Sequence, residues 1–343
     1  MNALYYRYLG YRQNLAADMT TLRANGIYTL FTETKPQILH GEIITGNIAC
    51  LRCDVDKLTL THAEKIAESC GYRKFITNRD HYAPLYTEIL ELGVSGLIEK
   101  IEASMENHKE EPNKVTTLKA MRHTLCGFRK MIANYAEAAK TCKEDPSYEQ
   151  KHLDFIIENC TALVNGKPQT FAQALQLIWF CHLVFVMEDR DAMALGRMDQ
   201  YLYPFYKADI EDGRITDEEV VELLENVFIR LDGIINICIG GQDVHGNCQV
   251  NGLSYCVLWA VDGCHVPGPN LSLRYTRNIP DEFFDECLKV IGTGIGYPAL
   301  MNDDVNIAAL KRYGYDYEDI CNYSMVGCIE NFITGMQPPW SDA

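Results

Sequence analysis

Leu271-Ser272-Leu273-Arg274-Tyr275, Pro298-Ala299-Leu300-Met301 and Ser324-Met325-Val326 are three short apolar stretches, and what lies between them decides the fold. Pro280 opens a helical stretch that runs through Ile291, and Val305 to Tyr313 forms a second, closed by Gly314. Strand, helix, strand, helix, strand predicts a parallel sheet wrapped by helices, an α/β fold. Gly292-x-Gly294-x-Gly296 follows a helix and precedes a strand, the reverse of a dinucleotide fingerprint, so it is not read as one.

The third stretch runs into Gly327-Cys328-Ile329-Glu330. If this segment is extended, residues two apart share a face, so the thiol of Cys328 and the carboxyl of Glu330 look into one space while Ile329 faces away. Gly327 allows positive φ or close backbone approach. Pro338-Pro339 makes the following chain a stiffened loop. A Cys–Glu pair on a loop at a strand end suits radical or nucleophilic chemistry with an adjacent proton acceptor. A single cysteine is more often a small buried hydrophobe, so the pair alone does not decide.

Composition fits a cytoplasmic enzyme. The chain has 343 residues, 47% of them hydrophobic, enough for a large core. A net charge of −16 argues against nucleic acid or an anionic membrane as partner. The longest apolar run, Leu177 to Met187, is interrupted by His182 and too short to span a bilayer. Fourteen cysteines, with Met1 leading into Tyr5-Tyr6-Arg7-Tyr8 rather than a signal peptide, predict free thiols in a reducing compartment. Cys50-x-x-Cys53 lacks the second pair that a zinc site needs.

Residues 1–25 read as a helical arm. From Glu99 to Leu163 the chain is mostly helical, with Asn107 to Asn113 as a polar break, and Phe171 to Met187 is apolar all round, a buried helix. Thr216-Asp217-Glu218-Glu219 is a capping box. Ile234 to Ile239 is rich in strand formers and ends at Gly240-Gly241.

Gly327-Cys328-Ile329-Glu330 resembles the Gly-Cys-Val-Glu loop of glycyl radical enzymes, the family of pyruvate formate-lyase and the radical dehydratases. Gly196-Arg197-Met198-Asp199-Gln200-Tyr201 is similar to another of its segments. Asn251 to Tyr255, Pro269 to Arg274 and Pro298 to Asp303 fall in the family's order, so the likeness covers most of residues 40–343.

The resemblance implies part of a ten-stranded α/β barrel of the pyruvate formate-lyase type: the first half-barrel with its surrounding helices. Residues 1–343 would be one incomplete domain, without the C-terminal glycyl radical domain. No cofactor is implied as bound. A glycyl radical, its site absent from this chain, would be installed by a separate S-adenosylmethionine-dependent activase. The implied catalytic residues are Cys328, as thiyl, and Glu330, as base. His81, in a turn similar to the family's Gly-His-x-x-Pro but with Asp80 in place of Gly, is an implied substrate contact, with a solvent-facing helix cap as the alternative. Asp191, the second implied substrate contact, precedes Gly196 where glycerol-type dehydratases carry His-Ser, and its carboxylate resembles the hydroxyproline type; a solvated turn after the buried helix is the alternative.

One cysteine rather than an adjacent pair favours elimination from a small hydroxylated substrate over formate C-acetyltransferase activity. A truncated, non-catalytic homologue is the remaining alternative. The expected partners are a small-molecule substrate, the activase, and a second copy or the missing C-terminal portion. Arg7-Tyr8-Leu9-Gly10-Tyr11 looks like the family's radical-bearing glycine motif but stands at the wrong end, a coincidence.

Overall fold

The computed structural model describes residues 2–47, 65, 81–188, 190, 192–231 and 233–339. Cys50, Cys53 and Asp191 lie outside the described residues. The chain divides into two compact units, residues 1–77 with 88–189, and residues 78–87 with 190–343.

The first unit is helical: α1 (Asn2–Arg12), α2 (Met19–Glu33), α3 (Thr87–Asn107), α4 (Pro112–Cys142), α5 (Gln150–Asn165) and α6 (Phe171–Met187). The predicted arm is thus two helices, because Asp18 caps α2 through the Thr21 amide at 3.0 Å. Gly10 lets them close: a Cβ there would lie 2.2 Å from the Asn25 carbonyl oxygen. Tyr8, Tyr11 and Leu22 form a buried cluster around the Arg-Tyr-Leu-Gly-Tyr segment.

Helix α6 is buried over nearly its whole length, as its composition predicts. Two of its residues anchor the 45–46 segment: Gln176 exchanges two hydrogen bonds with the Thr45 backbone, both 2.8 Å, and Trp179 Nε1 donates to the Gly46 carbonyl at 2.9 Å. No helix among the described residues is long and apolar enough to cross a membrane.

The second unit carries a four-stranded parallel sheet in the order β1 (Ala194–Gly196), β2 (Asn236–Gly240), β3 (Asn270–Tyr275), β4 (Ala299–Asn302). Between β1 and β2 lie α7 (Met198–Tyr201), α8 (Tyr203–Glu211) and α9 (Asp217–Phe228). Helix α10 (Gly252–Cys264) precedes β3, α11 (Asp281–Val290) joins β3 to β4, and α12 (Asp303–Leu310) and α13 (Tyr317–Cys321) follow. Helix α9 opens with the predicted capping box: Thr216 Oγ1 accepts from the Glu219 amide while the Glu219 carboxylate accepts from that of Thr216.

One expectation fails. Tyr323–Val326 (β5) does not join the parallel sheet; it pairs antiparallel with Glu330–Ile333 (β6), which reads from sequence as loop. The reason lies in the three residues between them. Gly327 has φ of 51° and Ile329 of 81°, both left-handed, so the chain reverses on itself.

His182, on α6, is fully buried, and neither ring nitrogen has a hydrogen-bond partner; its ring stacks on Trp179 at 5.5 Å. Burial holds its pKa down at about 4, against 6.5 in an unfolded chain. A depressed histidine pKa means the unfolded state takes up the proton first. Stability therefore falls as pH drops from 6.5 towards 4, by about 3 kcal/mol at about 1.4 kcal/mol per unit. Urea unfolding at pH 7.5 and 4.5 checks this: His182→Phe should show a stability loss on acidification smaller by about that amount. The same pH dependence in both proteins would refute it.

Candidate active site

The hairpin β5–β6 is held at its base by charge. Arg274, from the apolar strand β3, lies with Asp303 in a bidentate ion pair, Nε to Oδ1 at 2.7 Å and Nη2 to Oδ2 at 2.9 Å, with no exposure on either side chain. Its third nitrogen donates to the carbonyls of Cys321 and Tyr323, each at 3.0 Å, and its guanidinium lies 4.0 Å from the centre of the Tyr323 ring. The Tyr323 hydroxyl returns a hydrogen bond to Asp303 at 2.6 Å. Burial alone would disfavour the cation, but the Asp303 carboxylate more than offsets it and raises the Arg274 pKa.

Arg197, just after β1, reaches the same Cys321 carbonyl at 3.0 Å and the Gly240 carbonyl at 3.0 Å. Among the described residues no carboxylate hydrogen-bonds it. Burial, and then the neighbouring charge of Arg274, push its pKa down to about 10. Asp199 accepts from the Gly240 amide at 2.9 Å and the Ser254 hydroxyl at 2.7 Å, and burial raises its pKa. Two guanidinia thus converge on one carbonyl at the entrance to β5, and fix where that strand starts.

At the far end of β5 the turn presents Cys328, which is exposed. Cys328 and Glu330 are not neighbours on an extended face, as the spacing predicts; Cys328 stands at the turn and Glu330 opens β6, opposite Val326. The Ile329 amide closes the turn onto the Val326 carbonyl at 2.9 Å. A β-branched residue at positive φ is a strained choice, costing on the order of 1–2 kcal/mol.

His81 is buried, 3% exposed, which removes the solvent-facing cap reading. Its neighbour Tyr82 forms a parallel bridge with Met193, and Tyr82 packs edge-on against Phe332 of β6. Those contacts bring the imidazole flush against Gly327: an ideal Cβ there would sit 1.7 Å from His81 Cδ2 and 1.9 Å from Nε2. The same point lies 2.9 Å from Glu330 Oε2, so imidazole and carboxylate are at most about 4.8 Å apart, the two distances end to end. Only glycine fits at 327. The structure brings Glu330 and His81 together at Gly327, the residue before Cys328, while Asp191 lies outside the described residues. No group of His, Cys, Asp and Glu among the described residues could hold a metal ion.

Sequence reading misses Asn236. Its side-chain amide, at the start of β2, donates to the Gly327 carbonyl at 2.8 Å. A polar residue between Ile235 and Ile237 is the one local signal that could have marked it.

A four-stranded parallel sheet flanked by helices, with a cysteine-bearing hairpin as a second sheet, defines an α/β protein. The chain belongs to the pyruvate formate lyase-like family, whose model matches residues 62–343. It is 30% identical over 305 residues to (2S)-3-sulfopropanediol dehydratase of Klebsiella oxytoca, an alignment covering 80% of this chain and 37% of that protein. It is 31% identical over 284 residues to a probable dehydratase of Escherichia coli K12, covering 74% and 35%. The crystal structure of a glycyl radical enzyme from Archaeoglobus fulgidus superposes with a TM-score of 0.87 at 23% identity, over 97% of this chain and 53% of that one. The fold is therefore part of the α/β barrel of the pyruvate formate-lyase type. The chain spans little more than a third of the curated relatives and about half of the solved structure.

The Arg274–Asp303 pair gives a direct test. Arg274→Met or Asp303→Asn alone strands a buried charge or its donors and should cost about 3–5 kcal/mol. The double variant should cost clearly less than the sum, as a urea-unfolding cycle would show. Additive losses would mean that the pair is not the coupling element.

Proposed function

We propose that this chain carries the hydrogen-abstracting site of a glycyl radical eliminase acting on a small hydroxylated molecule. The observation that carries the reading is the turn: an exposed thiol at Cys328, with the Glu330 carboxylate and the His81 imidazole drawn to the same glycine. Family membership and the likeness to a dehydratase of sulfopropanediol support an elimination rather than a transfer. So does the flanking of Cys328 by Gly327 and Ile329, which leaves no adjacent second thiol to hold an acyl group.

A backbone glycyl radical, installed by a separate S-adenosylmethionine-dependent activase, would supply the single oxidising equivalent that turns the Cys328 thiol into a thiyl. Cys328 then takes a hydrogen atom from a substrate carbon bearing a hydroxyl, and Glu330 accepts the hydroxyl proton. The resulting carbon-centred radical expels the neighbouring leaving group with its electron pair, and that group takes up one proton as it departs, balancing the one Glu330 accepted, which Glu330 gives back before the next turnover. Cys328 returns the hydrogen atom to the product radical, so no net oxidant is consumed. His81, beside the carboxylate, would contact the substrate, and Asp191 is retained as a second contact. Residues 1–343 would be part of one pyruvate formate-lyase-like domain, working in the reducing cytoplasm, where its thiols stay free.

In an activated preparation, Cys328→Ser should abolish turnover while the glycyl radical signal survives in electron paramagnetic resonance. Glu330→Gln should slow turnover about 10²–10⁴-fold, the usual worth of a positioned base. Turnover by Cys328→Ser would remove the thiyl assignment, and an unchanged rate in Glu330→Gln would make that residue structural.

A further inference from the structure

The turn that carries Cys328 is strained, and a strained turn persists only where its surroundings over-determine it. Two residues grip it at Gly327. His81 lies against the α-carbon, and Asn236 holds the carbonyl. The two grips differ in kind: the first excludes a side chain, whereas the second fixes the peptide plane that leads into Cys328. Asn236 can do so because its own backbone is pinned. Its amide donates to the Met193 carbonyl at 3.2 Å, and the carbonyl of its neighbour Ile235 accepts from the Asn270 amide at 2.8 Å.

The other end of the same side chain supports a dedicated role. Asn236 is fully buried, and its Oδ1 has no hydrogen-bond partner. An orphaned buried acceptor costs on the order of 1–3 kcal/mol, so an apolar residue would be the more stable occupant of this strand position. The orientation is fixed by chemistry, since the flipped amide would set oxygen against oxygen at 2.8 Å. What the asparagine gains for that cost is one donor aimed 91 residues along the chain at the peptide next to the thiol.

We propose that Asn236 is a positioning residue of the hydrogen-abstraction site, setting the place of the Cys328 thiol through the Gly327 carbonyl. Its purpose rests on the reading of Cys328 as the abstracting thiol. Its geometry does not, so the test is made on the unactivated chain. The readout is amide hydrogen exchange of Ile329, whose N–H closes the turn, with the β2–β3 ladder as internal control.

Asn236→Asp keeps the shape but at neutral pH has no donor, and its carboxylate faces a carbonyl oxygen. After correction for intrinsic rates, Ile329 should exchange at least about tenfold faster than in the parent at pH 8, the mark of losing about 1.4 kcal/mol of local protection. At pH 5 the introduced carboxyl, protonated in its buried place, regains an O–H donor, and protection should return. Asn236→Ala removes donor and orphan acceptor together and should exchange faster at both pH values. A purely packing role predicts no recovery at acid pH. Protection of Ile329 within twofold of the parent at pH 8 in a folded Asn236→Asp chain would overturn the proposal. If that variant does not fold, the same result in Asn236→Ala would do so. Neither result depends on turnover, so a non-catalytic Cys328 and a non-positioning Asn236 remain separate failures.

Discussion

The second unit depends on one carbonyl, that of Cys321, where Arg197 and Arg274 meet. Two like charges would not be buried side by side without compensation. Asp303 supplies it for Arg274 with a bidentate pair, and Asp303 is itself held by the Gln242 amide at 3.0 Å and the Tyr323 hydroxyl. The network thereby joins β3, the start of α12 and the first residue of β5. Breaking it would release the root of the hairpin whose tip is Cys328.

Placement at the root does not determine geometry at the tip, and there the molecule goes against local preference. Left-handed backbone is ordinary for Gly327 and costly for Ile329. A hairpin with a relaxed turn would have placed Cys328 and Glu330 differently. The long-range contacts at this turn come from His81 and Asn236, both at Gly327. The strain sits beside the one residue pair with evident chemistry, which is where stored strain tends to collect.

That division explains what the sequence discloses. The strand–helix–strand unit of β3 and β4, the capping box at Thr216 and the buried helix at Phe171 follow from periodicity and local chemistry and appear where they are read, whereas the third strand of the alternation leaves the parallel sheet. The Gly-Cys-Ile-Glu motif marks the site. Its conformation is not legible, because Ile329 reads as a strand former and β6 as a loop. His81 is legible as a resemblance but not as a buried ring against Gly327. Asn236 is illegible in its role, since nothing local links it to a carbonyl 91 residues away. Arg274 could have been suspected: a lone cation in an apolar strand needs a buried partner, and Asp303 stands just after the next strand.

Burial separates the cysteine thiols of the described residues from one another. Burial raises the pKa of Cys238, Cys256 and Cys287 to about 12 each, and that of Cys181 likewise, so they pack as small hydrophobes with little thiolate at neutral pH. Cys328 differs by position, exposed at the reversal of a hairpin. The proposed hydrogen-atom abstraction asks for such a position, because a thiyl needs contact with a carbon–hydrogen bond. The fold roots the hairpin in buried charge at the Cys321 carbonyl, and Asn236 and His81 meet its tip at Gly327.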